Sequence, residues 1–164
     1  MTALVFEVLP MKLLAQRAWR AVGLFAMLSL SGLPALAQSN RATFPANVDE
    51  FEVYSVQERG SSRTEALALP ETIRFAKAGQ PLPPGTRILL GIWENNTLTG
   101  YFVMEKGQDW GLDFSAEERT GDWHFQEYNT KGQISRRPIA ERCQSCHQGA
   151  AKTDFIFTFN RMLD

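Results

Sequence analysis

Cys143, Cys146 and His147 are the residues of this chain best placed to do chemistry together. They lie in Cys143-Gln144-Ser145-Cys146-His147, the C-x-x-C-H pattern that attaches a c-type haem. On a helical turn, positions i, i+3 and i+4 share one face. Two thiols spaced this way reach the two vinyl groups of one porphyrin as thioethers. The imidazole then sits under the iron as an axial ligand. The chain has only 2 cysteines, so the expected cofactor is one covalent haem c. Two plainer readings compete with it. A redox dithiol normally follows a strand in a βαβ context, and the pattern here shows none. Half of a zinc site would need two further ligands, and the one other histidine is His124.

The N-terminal residues indicate where this chemistry takes place. Lys12, Arg17 and Arg20 form a basic region ahead of an apolar run, Ala21 to Leu33. Ala35-Leu36-Ala37 then supplies the small-x-small pattern of a signal-peptidase site. Residues 1–37 read as a secretory signal, with Met11 an alternative start. The competing membrane anchor would need about 20 apolar residues. Export of a chain with this motif implies the bacterial periplasm. Removing residues 1–37 leaves 127 residues, one domain of ordinary size. The 17 basic and 18 acidic residues lose three and one, so the formal charge becomes −3. A nucleic-acid partner is not expected, because it calls for a basic footprint.

These residues need elements to hold them, and the sequence predicts mostly strands. Residues 38–48 read as a loose leader ahead of a haem domain at 49–164. Phe51 to Val56 alternates as a strand, and a second strand runs from Arg63 to Leu69. Pro70 opens a short helix that Gly79 closes. Thr86 to Trp93 and Leu98 to Glu105 form a hairpin about Asn95-Asn96. Gly107 to Gly121 reads as a long loop or a ragged strand. Asp122 to Tyr128 alternates, with Trp123 and Phe125 on one face and His124 on the other. Pro138 to His147 is the helix of the motif. Phe155, Phe157 and Phe159 alternate on one face of a last strand. Five or six strands with two short helices predict an α+β domain built mainly on an antiparallel sheet.

The arrangement resembles the cytochrome P-460 family, including its cytochrome c′-beta branch. The residues that carry the resemblance are Arg63, Pro83-Pro84-Gly85-Thr86, Gly121-Asp122-Trp123-His124-Phe125, Glu141-Arg142-Cys143-Gln144-Ser145-Cys146-His147 and Asp154-Phe155-Ile156-Phe157-Thr158. The resemblance implies a mostly antiparallel β protein, usually a homodimer. It implies one c-type haem held by the motif histidine and open on its other side. It implies oxidation of hydroxylamine, or binding of nitric oxide and carbon monoxide. Arg63 matches an arginine near the family's haem pocket. The hydroxylamine-oxidising members link a lysine to the porphyrin in a G-T-x-x-x-K pattern. Here Leu90 stands at the lysine position after Gly85-Thr86. A leucine cannot form that link.

The second axial position is expected to be open. His124 lies opposite Trp123 and Phe125, so it is expected to face solvent or an interface. Met104 reads as a core filler beside Phe102 and Val103. Met162 falls at a frayed terminus. Ile88, Leu90 and Ile92 share one strand face. If that face lines the pocket, with Arg63 as a further distal candidate, the pocket is apolar and suits a small neutral gas. Three activities follow: binding of a small gaseous or nitrogenous ligand, oxidation of a small nitrogen compound, or electron transfer to a redox partner protein.

Overall fold

The computed structural model describes residues 40–135 and 139–164. The expected secretory signal lies outside them, as does Pro138. Five strands form one antiparallel sheet in the order of the chain: β1 (Glu52–Arg59), β2 (Ser62–Ala68), β3 (Arg87–Glu94), β4 (Thr97–Lys106) and β5 (Trp123–Asn129). Helix α1 (Pro70–Lys77) joins β2 to β3, and α2 (Ala140–His147) follows β5. This is the expected α+β class. Among the described residues no helix is long and apolar enough to cross a membrane.

Local chemistry explains most of the boundaries. Asn95 and Asn96 both take positive φ, 49° and 62°. Tight hairpin turns require this, and asparagine tolerates it better than most residues. Pro70 takes the first helical position of α1, and Gly79 follows the helix with φ 63°. Gly100 is needed for close approach, since a Cβ there would meet the Tyr128 carbonyl oxygen at 2.6 Å.

The register gives the sheet two distinct faces, because side chains alternate along each strand. On the front, Ala68, Ile88, Met104 and Phe125 fall in one cross-strand row. The row beside it runs Ala66, Leu90, Phe102 and Glu127. Trp123, Ile156 and Met162 complete the front core, with Tyr54, Phe75 and Cys143 packed against it. On the back, Leu89, Val103 and Tyr128 meet Phe51, with Phe44 and Val48 beside them.

Three expectations need correction. The segment from Asn40 on is not loose. Ala42 is buried, and the Asn40 amide donates to the Phe125 carbonyl and to Gln126 Oε1. Thr43 donates to the buried Glu105 carboxylate from both its N–H, at 2.7 Å, and its hydroxyl, at 2.9 Å. Residues 107–121 form a loop, one of the two expected readings, with a short 3-10 turn at Trp110–Asp113. Phe155, Phe157 and Phe159 do not form a strand. Their segment is built of turns and a 3-10 helix, Phe159–Met162. Met162 is not frayed, being 1% exposed within the front core.

Candidate haem site

Helix α2 carries Cys143 and Cys146 and ends at His147. Its side toward β5 packs on the front of the sheet. Cys143 is half-buried there, while Cys146 is exposed one turn later. Burial pushes the Cys143 thiol up to about 11, although Arg142 pulls it down. A thiol that holds its proton so firmly is a poor thiolate nucleophile or metal ligand. Among the described residues no group of three His, Cys, Asp or Glu could hold a metal ion.

His147 is held in one orientation. Its Nδ1–H donates to the Phe155 carbonyl at 2.6 Å. A carbonyl can only accept, so this bond fixes the tautomer and leaves Nε2 with its lone pair. The ring packs at 4.8 Å against Phe125 and at 5.1 Å against Phe157, centroid to centroid. Burial lowers the His147 pKa, against the opposing pull of the Phe155 carbonyl. Neutral imidazole is the form that binds a metal.

Cys143 and His147 open onto a cavity of ≈ 330 Å³ between α2, the 155–158 segment and the front of the sheet. Ile88, Leu90, Phe102 and Met104 form its strand wall. Gln57, Thr64 and Thr158 add polar groups. No Lys, Arg, Asp or Glu is among its described lining residues. The volume falls at the small end of the range for cofactor and ligand pockets, about 300–1,000 Å³. The structure therefore brings together four sequence-predicted site residues: Cys143, His147, Ile88 and Leu90. The signal for the rest of the wall was available in strand parity, since Ala66 and Phe102 flank Leu90 in the register.

A family model for cytochrome P460 matches residues 45–158. The chain belongs to the cytochrome P460 family. No curated protein matches the chain. Membership brings a haem cofactor, and the residues present fit one. An apolar cavity carries a thiol and an imidazole nitrogen side by side, at the motif spacing for one porphyrin.

Two candidates from the sequence fall elsewhere. Arg63 is not in the cavity. Thr64 and Ala66 face it, so Arg63 points to the back of the sheet. There its guanidinium stacks 4.3 Å from the Trp93 ring and pairs with Glu65 at 3.2 Å. His124 is also on the back, but it does not face solvent: it is 0% exposed. Residues 40–51 and the 110–114 turn cover it. Its Nδ1 accepts from the Arg41 N–H at 3.1 Å, so Nε2–H donates to the Trp110 carbonyl at 3.0 Å. The sheet lies between it and His147, which packs against Phe125 on the front.

Burial lowers the His124 pKa below its usual 6.5, although Trp110 and Asp113 pull it up. The unfolded chain gains this proton near pH 6.5 and the folded chain only at lower pH. Stability is therefore complete above about pH 6.5 and falls as the pH drops from there to the folded pKa. The urea midpoint is expected to hold from about pH 8 to 7 and to decline toward pH 5. His124→Gln should flatten that decline. An equally steep decline in the variant would show that His124 is not its source.

Proposed function

We propose that this is a periplasmic mono-haem c-type protein that binds small neutral ligands such as nitric oxide or carbon monoxide. Cys143 and Cys146 would attach the haem, and His147 Nε2 would hold its iron. The observation that carries this reading is the His147 Nδ1–Phe155 bond, which presents the other ring nitrogen to an apolar cavity. Bound there, haem supplies an iron centre that takes diatomic ligands and changes redox state. The side chains do the rest. The motif helix sets the Cys143 thiol on the cavity with the imidazole, and the exposed Cys146 thiol follows one turn later. Phe125 and Phe157 pack on the ring and hold its plane. Ile88, Leu90 and Phe102 offer a wall without formal charge, which favours a neutral ligand over a charged intermediate.

Hydroxylamine oxidation is expected to be weak or absent. Leu90 takes the place of the cross-linking lysine, and the described lining holds no lysine. Lys106 is paired with Asp154 at 2.8 Å, and Lys77 reaches the Asp164 carbonyl at 3.3 Å. The expected secretory signal supports the periplasmic location. Family resemblance supports a homodimer.

A second reading has one observation in its favour. Met104 lines the same cavity as His147, and a methionine–histidine pair would make a six-coordinate electron carrier. The visible spectrum of the ferrous protein, with and without carbon monoxide, separates the readings. A high-spin spectrum that shifts on carbon monoxide is expected. A sharp low-spin spectrum indifferent to the gas would overturn gas binding in favour of electron transfer. A red-shifted spectrum from a modified porphyrin would point to the hydroxylamine chemistry instead.

A further inference from the structure

The geometry points to Asp154 as a positioning residue for His147, acting through the backbone of Phe155 rather than by touching the imidazole. The inference rests on His147 being the axial ligand of the iron. Asp154 and Phe155 are consecutive non-glycine residues with positive φ, 51° and 60°. L side chains avoid that region, and a chain stays in it only when its surroundings over-determine it.

The surroundings here can be named. Lys106 Nζ donates to Asp154 Oδ2 at 2.8 Å, and Trp123 Nε1–H donates to Oδ1 at 3.3 Å. Lys106 and Trp123 face each other as a cross-strand pair, at the end of β4 and the start of β5. The edge of the ladder therefore grips one carboxylate by both of its oxygens. The Phe155 N–H donates to the Ala150 carbonyl at 2.9 Å, and the Ile156 N–H to Thr153 at 3.0 Å. The Thr153 hydroxyl lies 3.0 Å from the Ala150 carbonyl and 2.9 Å from that of Ile156. With both flanking amides held, the Phe155 carbonyl is aimed at His147 Nδ1–H.

The partner of the non-coordinating nitrogen governs the basicity of the coordinating one. A carbonyl held firmly at this distance makes Nε2 a stronger donor, which favours the oxidised iron. Release of the Asp154 clamp lets the turn relax out of the left-handed region and lengthens the Nδ1 bond. The iron–histidine bond then weakens and the reduction potential rises. The carboxylate thus tunes the iron from the far side of a backbone turn.

The test compares the ferrous holoproteins of the wild type, Asp154→Asn and Lys106→Met by resonance Raman spectroscopy and by redox titration. Asparagine tolerates positive φ and keeps an oxygen for Trp123, but it cannot pair with Lys106. Lys106→Met removes the same ion pair from the other end and keeps much of the apolar stem. Both variants are expected to lower the iron–histidine stretching frequency and raise the potential. A band and a potential that stay at the wild-type values in both variants would overturn the inference and leave His147 ligation standing. A high-spin ferrous wild type with no iron–histidine band would overturn the ligation and the inference together.

Discussion

Replacing Cys143 and Cys146 together with alanine is expected to abolish covalent haem in the purified protein. In a c-type maturation host, the intact mass of wild type should exceed that of the mature chain by one haem. The double variant should match the bare polypeptide. No other residue of the chain can form a thioether to a vinyl group, because these are its 2 cysteines. The single variants should differ. Cys143 faces the cavity and packs on the front core, whereas Cys146 is exposed. Cys146→Ala is expected to keep haem through one thioether, with the α band shifted to the red by the remaining vinyl. Cys143→Ala removes the thiol that the cavity wall presents directly, and its yield of haem should be the lower of the two. A double variant that still carries haem through denaturing electrophoresis would overturn the attachment.

The second large effect concerns the front core. Trp123→Ala is expected to cost about 3–5 kcal/mol, the usual range for emptying a buried aromatic position. That is a large share of a typical stability of about 5–15 kcal/mol. At roughly 3–6 °C per kcal/mol for a domain of this size, the melting temperature should fall by about 9–30 °C. Trp123 is 0% exposed, packs in the front core and donates to Asp154. Trp93→Ala is the comparison. Trp93 is only half-buried, although it holds Glu65 at 2.9 Å and carries the Arg63 guanidinium. Its loss should cost clearly less. Equal shifts of the two melting temperatures would show that Trp123 does not anchor the core.

The legible parts of the sequence were those decided by short-range rules. Asn95-Asn96 announced its hairpin because few residues accept two positive φ values in succession. Pro70 and Gly79 bracketed α1 for reasons of backbone chemistry. The motif placed Cys143 and His147 on one helical turn, and strand parity put Ile88 and Leu90 on one face. The failures share a cause in contacts distant along the chain. His124 was correctly set opposite Trp123 and Phe125. Its burial depends on residues 40–51, a segment with little apolar periodicity. That segment is recruited by polar contacts, those of Asn40, Arg41 and Thr43 with partners more than 60 residues away. Phe155, Phe157 and Phe159 have the period of a strand. The left-handed pair at Asp154 and Phe155 breaks it; aspartate tolerates that conformation, but phenylalanine does not signal it. Arg63 was assigned through resemblance rather than parity. Its neighbours Thr64 and Ala66 on the cavity wall show that parity had the answer.

The strand order also bears on the sequence of events in maturation. Each strand pairs with its neighbour along the chain, from β1 through to β5. In such a meander each strand pairs with one that precedes it along the chain, so the sheet can grow from β1 toward β5. The motif helix comes after all five strands. A chain emerging from its N-terminus can therefore assemble the sheet before the attachment residues arrive. Haem would then be delivered against a preformed wall, and the timing of its attachment would be set by the last quarter of the polypeptide.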